Sequence, residues 1–233
     1  MVNQNSGRAL SKKISSYSGA RVAQLINKIR LEPLETSHIE DIARLHYKIL
    51  SWSFNGQFGL EHMIEMYGAL FNSPYSFGYV YYSNGNLIGF VAATTNFKDT
   101  RRHVLGVYKR KISQTLGILL HHPKFIFGVL ESKLLVPIVF RYFGVKSEWL
   151  TFVTDTSNSY LSPLVALRMI DGVRNHFREV GVKGYMAQGV KDNPRAISMY
   201  EKLNWRVVAR LPIHNIYYYP TDCNITESEN IIR

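Results

Sequence analysis

The chain has 233 residues, 46% of them hydrophobic, and its 28 Lys and Arg against 17 Asp and Glu give a formal net charge of +11. That length and apolar share suffice for one large domain with a buried core. The one cysteine, Cys223, excludes an internal disulfide framework and a multi-cysteine metal site, and no run of eighteen uncharged apolar residues marks a membrane-spanning helix.

The charge is uneven. Residues 1–30 carry six Lys/Arg and no acid, and residues 98–146 carry ten Lys/Arg against Asp99 and Glu131. The rest of the chain is net acidic. A polyanion is therefore a reasonable partner for these two segments, with coenzyme A, an acidic carrier protein, an anionic membrane surface and nucleic acid all qualifying, and a merely soluble basic protein is the other reading. The first thirty residues lack an apolar core of the kind a secretory signal needs, so a cytoplasmic protein is expected.

Residues 1–20 read as a polar, basic tail. Arg30–Leu34 reads as a first strand. Ser37-His38-Ile39-Glu40 has the pattern of a capping box opening a helix through Leu50, with Ile39, Ile42, Ala43, His46, Ile49 and Leu50 inward. His46 on that face reads as a satisfied core histidine. An aromatic, glycine-punctuated loop spans Ser51–Gly59, and a second helix spans Leu60–Phe71. Strands at Ser76–Tyr82 and Leu87–Thr95 flank Asn84-Gly85, a strong hairpin signal.

Residues 98–146 read as helical, over His103–Leu120 and over Phe125–Phe143 with an interruption at Pro137. They set basic residues beside apolar runs such as Phe125-Ile126-Phe127. Such an insert reads either as a helical pair packed as a lid or as an amphipathic element touching a membrane surface or a partner. Glu148–Asp155 is a strand. The stretch 156–166 contains Ser162-Pro163, which suits a helix start; the helix runs to Val180 with Ala166, Met169, Ile170, Val173 and Phe177 inward, and Gly181 ends it. Val182–Gln188 is a strand.

Asn193–Trp205 then reads as a capped short helix. Asn193 suits the N-cap and Pro194 the first helical position. Ala196, Met199, Tyr200 and Leu203 fall at i, i+3, i+4 and i+7 on one face. Asn204 can adopt the left-handed conformation that ends the helix. Strands at Trp205–Leu211 and Asn215–Tyr219 follow, and residues 221–233 read as a polar tail.

The order Asn-x-x-Ala-x-x-x-Tyr-Glu-Lys-Leu-x-Trp over Asn193–Trp205 resembles the C-terminal motif of the GCN5-related N-acetyltransferases, the GNAT family. Here Asn204 stands where that motif has glycine, and Trp205 where it has phenylalanine. The resemblance implies an α/β (α+β) fold: a mixed, mostly antiparallel sheet of about seven strands flanked by helices. Residues 21–220 would form one domain, with 98–146 inserted between strands 3 and 4. It implies an N-acyltransferase using acetyl-CoA or another acyl-CoA and no metal, with a small amine such as an amino sugar as acceptor.

In that resemblance Tyr200 protonates the leaving thiolate. Phe152, Val153 and Thr154 lie on the strand that pairs with the pantetheine arm. Asn193, Arg195 and Ala196 belong to the motif helix. Leu161, Ser162, Leu164 and Val165 fall in the stretch that cradles the pyrophosphate. In the family that stretch is rich in glycine and begins with arginine or glutamine, so that bare amides and a helix dipole meet the phosphates. Here residues 156–166 contain neither glycine nor arginine, and Arg195 or Arg168 would have to help. The general base stays open among Glu148, Asp155 and a water chain. Two alternatives also stay open: an acyl donor carried by an acidic acyl carrier protein, and a GNAT-shaped module that binds without catalysis. Nucleic acid is not expected as a partner.

Overall fold

A computed structural model describes residues 26, 28–155, 157 and 161–222. The basic tail at 1–20, Cys223 and the last residues lie outside the described residues.

The described strands form one seven-stranded sheet in the order β1-β2-β3-β4-β5-β7-β6. They are β1 (Glu32–Pro33), β2 (Ser76–Ser83), β3 (Asn86–Thr94), β4 (Glu148–Thr154), β5 (Gly184–Val190), β6 (Arg206–Arg210) and β7 (His214–Pro220). All neighbours pair antiparallel except β4 and β5, which run parallel. The β2–β3 turn places Asn84 and Gly85 at positive φ, as an Asn-Gly hairpin requires. The first strand is shorter than its sequence suggests. Pro33 cannot donate to a ladder, and β1 sits at the sheet edge where that is tolerated.

Helices cover both faces. Helices α1 (Ile39–Leu50) and α2 (Leu60–Phe71) pack Ile42, Met63 and Tyr67 against Phe90 and Val153. Four helices of the insert follow: α3 (Phe97–Arg110), α4 (Ile112–His121), α5 (Lys124–Leu130) and α6 (Val136–Tyr142). Val136 and Phe140 of α6 pack on Met186 and Ile216, so the insert covers β5 and β7 on the same face as α1 and α2. Helices α7 (Leu161–Glu179) and α8 (Pro194–Lys202) cover the opposite face, burying Met169, Val173, Phe177 and Tyr200 against Trp149, Tyr185 and Tyr217.

Local chemistry departs from the sequence reading at four places. The turn Thr36–His38 precedes α1, and His38 Nδ1 accepts from the Glu35 amide at 3.1 Å; Glu40 pairs instead with Arg44. The insert's first helix breaks at Lys111, where φ is −113° and ψ is 35°. Pro137 does not interrupt the second. A π-turn, Glu131–Leu135, precedes it, and the Val136 amide bonds the Glu131 carbonyl five residues back. That wider register absorbs the amide that Pro137 lacks. Helix α7 begins at Leu161, so Ser162 lies inside its first turn rather than at its cap, and its hydroxyl donates to the Asp155 carbonyl.

Candidate active site at the split between two strands

Strands β4 and β5 share two rungs, Glu148 with Met186 and Trp149 with Ala187. Beyond them the strands separate. The alternation of the flanking ladders shows which backbone groups face the gap. The Asp155 amide bonds Ile88, and Val153 and Thr151 share its parity toward β3. Phe152 and Thr154 therefore turn their N–H and C=O groups into the gap, while Val153 gives its backbone to β3 and its side chain to the core under α1 and α2. On β5 the Met186 amide bonds the Ser147 carbonyl and the second rung engages the Gln188 amide with the Trp149 carbonyl, so the Gln188 carbonyl and the Val190 amide face the gap. The gap is thus lined by unpaired main chain on both sides, the arrangement that an extended, amide-bearing arm could bridge.

Helix α8 stands at the gap's β5 side. Asn193 Oδ1 accepts from the Ala196 amide at 3.2 Å, which caps the helix, and Asn204 ends it at φ 56°. The Asn193 Nδ2 has no partner among the described residues. Arg195 is exposed, and Ala196 is half-buried against the core. Tyr200 is 6% exposed. Its ring stacks on Tyr217 at 4.4 Å and lies over Gly189, where a Cβ would come within 3.1 Å of it. Only glycine lets the ring approach β5 this closely. The Tyr200 hydroxyl has no hydrogen-bond partner among the described residues. Burial, then Tyr217 and Glu148, raise it well above the ordinary phenol range, so it is a protonated hydroxyl at neutral pH.

Glu148 lies at the apex of the split, on the face opposite Tyr200. It is 2% exposed. One carboxylate oxygen accepts from Gln188 Nε2 and the other has no partner. Burial pushes its carboxyl above the ordinary value of 4.5, and Arg101, Gln188 and His214 pull it partway back. Asp155, the other candidate base, is occupied. It takes bonds from the Ser157 amide and hydroxyl and pairs with Lys48 at 3.0 Å. Against the upward pull of burial, those bonds hold it below 3.8. The geometry distinguishes the two carboxylates: one is buried with a free oxygen beside the split, the other is tied into the β4 exit.

The surroundings of Glu148 come from the insert and from the β6–β7 corner. Glu131 is 3% exposed and accepts from the Ile213 amide at 2.8 Å, the His214 amide at 2.9 Å and His214 Nδ1 at 2.7 Å. Arg101 donates to the Ser132 carbonyl at 2.7 Å. Sequence reading missed Gln188, Arg101, Glu131 and His214, because each belongs to a different element and no local spacing links them.

The first turn of α7 presents the remaining residues. Leu164 and Val165 are buried in the core, Leu161 is half-buried, and Pro163 has no amide to give. Arg168 donates to the Ile29 carbonyl at 3.3 Å. Residues 158–160, within the stretch that the motif resemblance assigns to the pyrophosphate, lie outside the described residues.

No family model matches the sequence, and no curated protein is close enough in sequence to count as a match. Solved structures do match in shape. The coenzyme A complex of PaiA N-acetyltransferase from Thermoplasma acidophilum is 10% identical and aligns over 82% of this chain and 99% of its own, with a TM-score of 0.51. A GNAT-family acetyltransferase from Staphylococcus aureus Mu50 is 12% identical over 83% of this chain and 99% of its own, also at 0.51. A protein from Pyrococcus horikoshii OT3 is 12% identical over 84% of this chain and 100% of its own, at 0.50. The chain therefore has the GNAT fold, as the Asn193–Trp205 motif implies. The parallel split between β4 and β5 and the helix that carries Tyr200 are parts of that fold here.

Proposed function

We propose that the protein is an N-acyltransferase that moves an acyl group from a coenzyme A thioester, most simply acetyl-CoA, to a small amine such as an amino sugar. The observation that supports this most is the split itself. Unpaired main chain lines it, a protonated hydroxyl closes one face, and a carboxylate with a free oxygen closes the other. An amine attacks the thioester carbonyl; the C–N bond forms and the C–S bond breaks. Tyr200 gives its proton to the leaving thiolate, and Glu148 takes the proton released by the amine. Phe152 and Thr154, the Gln188 carbonyl and the Val190 amide would hold the pantetheine arm through the main chain, with Asn193 Nδ2 as a further donor. The start of α7 would face the pyrophosphate through its dipole. A cytoplasmic setting suits such a donor.

Calorimetric titration with coenzyme A and a thiol-release assay with acetyl-CoA test this reading. Absence of both binding and thiol release on a panel of amines would refute it.

One observation favours a second donor. The Ser162 hydroxyl bonds the Asp155 carbonyl, and residues 156–166 include no glycine, which leaves a reduced cradle for two phosphates. A thioester on an acyl carrier protein presents a single phosphodiester. Comparing acetyl-CoA with acetyl-pantetheine separates the two. Equal rates favour the carrier protein, and a large preference for acetyl-CoA favours the nucleotide.

A further inference from the structure

Two consecutive stretches of the insert are apolar on the side turned away from the domain. On α4, Gln114 donates to the Phe58 carbonyl at 3.3 Å, which seats that side of the helix on the loop before α2. The opposite side, at i, i+4 and i+8, carries Ile112, Leu116 and Leu120, which are 65%, 55% and 77% exposed. From α5 through α6 the inward side buries Glu131, Val136 and Phe140. The outward side carries Phe127, Leu134 and Ile138, each at least 60% exposed, and then Tyr142. A helix resting on a core is ordinarily apolar on the core side alone. Single exposed hydrophobes need no explanation, but a continuous series along consecutive helices marks an interaction surface.

The charges in the same segment have one sign. Lys124, Lys133, Arg141 and Lys146 are exposed, and none forms an ion pair among the described residues. The sole acid from Lys111 to Lys146 is Glu131, which is buried and bound to the β6–β7 corner. The outward face thus presents aliphatic and aromatic side chains beside cations, with no acid.

We propose that this face docks on the surface of a lipid bilayer that carries anionic headgroups. Phe127, Leu134 and the α4 series would enter the headgroup–acyl boundary, and the cations would meet the phosphates. Among the described residues no helix is long and apolar enough to cross a membrane, so the contact is interfacial. An acidic protein would match the charge, but a protein interface also pairs hydrogen-bonding groups, and this face offers few besides its cations. The proposal is independent of the acyl-transfer reading.

Cosedimentation of the full chain with vesicles tests it. Vesicles mixing phosphatidylglycerol with phosphatidylcholine should retain the protein, and pure phosphatidylcholine should retain far less. Higher salt should weaken the retention. Lys124→Gln with Lys133→Gln should lower partition by about fivefold per charge removed. Leu116→Ser with Phe127→Ser should lower it as well, and because both sites are exposed the melting temperature should hold. Thiol release on a soluble amine should be unchanged in both variants, which keeps docking separable from chemistry. No retention by anionic vesicles, or equal retention of both variants, overturns the proposal. So does a solution dimer dispersed by Leu116→Ser with Phe127→Ser, which would make a second copy the occupant. Binding of an acidic acyl carrier protein that the same variants abolish, without vesicle binding, would give the face to that partner instead.

Discussion

Glu148 and Tyr200 occupy opposite faces of the sheet at the rung where β4 and β5 part, near enough that the carboxylate helps to raise the phenol. A thioester threaded through the split would pass between them. In the proposed reaction, that arrangement would separate proton removal from proton delivery by the thickness of one sheet.

Tyr200→Phe removes one hydroxyl that has no partner in the described structure. It should leave the melting temperature and coenzyme A affinity nearly unchanged and lower thiol release by ~10²–10⁴-fold. Turnover equal to wild type at saturating donor would take the acid role from Tyr200.

Glu148→Gln should erase the acidic limb of the rate profile. A base must be unprotonated to act, so wild-type turnover should fall as pH drops through the Glu148 value, which burial sets above 4.5. In the variant, the rate at neutral pH should be lower and the acidic limb flat. An unaltered profile would assign the proton to a water chain. Asp155→Asn serves as the contrast, since that carboxylate is held by Lys48 and Ser157. It should leave the limb in place.

Asn193→Ala should cost about 1 kcal/mol through the lost cap bond to Ala196. It should also raise the KM for the acyl donor. Unchanged thermal melting would contradict the capping role, and unchanged KM would contradict the contact with the donor.

Two buried histidines should make the fold sensitive to acid. His46, whose Nδ1 lies 2.5 Å from the Tyr67 hydroxyl, is lowered to about 4 by burial. His62 is lowered to about 4 by burial and by Lys111, with Glu65 opposing. Both stay neutral in the folded chain, whereas the unfolded chain binds protons below 6.5. Stability should therefore be complete above 6.5 and fall as pH drops toward 4, by up to about 3 kcal/mol for each residue. Denaturant melts across that range check the slope. His62→Leu should flatten part of it and raise stability at neutral pH, because both ring nitrogens of His62 are buried without partners.

The helix that carries Tyr200 was legible because its signals are local. A cap, a proline at the first turn, an apolar face and a residue able to reach positive φ fall within thirteen residues. The hairpin at Asn84-Gly85 was legible for the same reason. The start of α7 was not, since Ser162-Pro163 suits a cap equally well, whereas the helix begins one residue earlier, at Leu161, and the Ser162 hydroxyl bonds the Asp155 carbonyl instead of capping. The base could not be chosen from sequence. Glu148 and Asp155 flank one strand, and what separates them is Lys48 from α1, Gln188 from β5 and Arg101 from the insert. Pro137 looked like a break because its missing amide is plain in the sequence, while the π-turn that accommodates it depends on a register that no spacing records.

Two shared rungs join the strand group β1–β4 to the group β5–β7, so within the sheet the hydrogen-bonded seam between the halves is short. A ligand that fills the split with its own amides and carbonyls would extend that seam and serve as an added strand. Such a molecule is mechanical reinforcement as well as reactant. Without a ligand, the amide hydrogens of Phe152, Thr154 and Val190 should exchange faster than those of the β5–β7 ladder, and binding of an acyl donor in the split should bring the two sets together, so that the ligand welds the halves for as long as it stays bound.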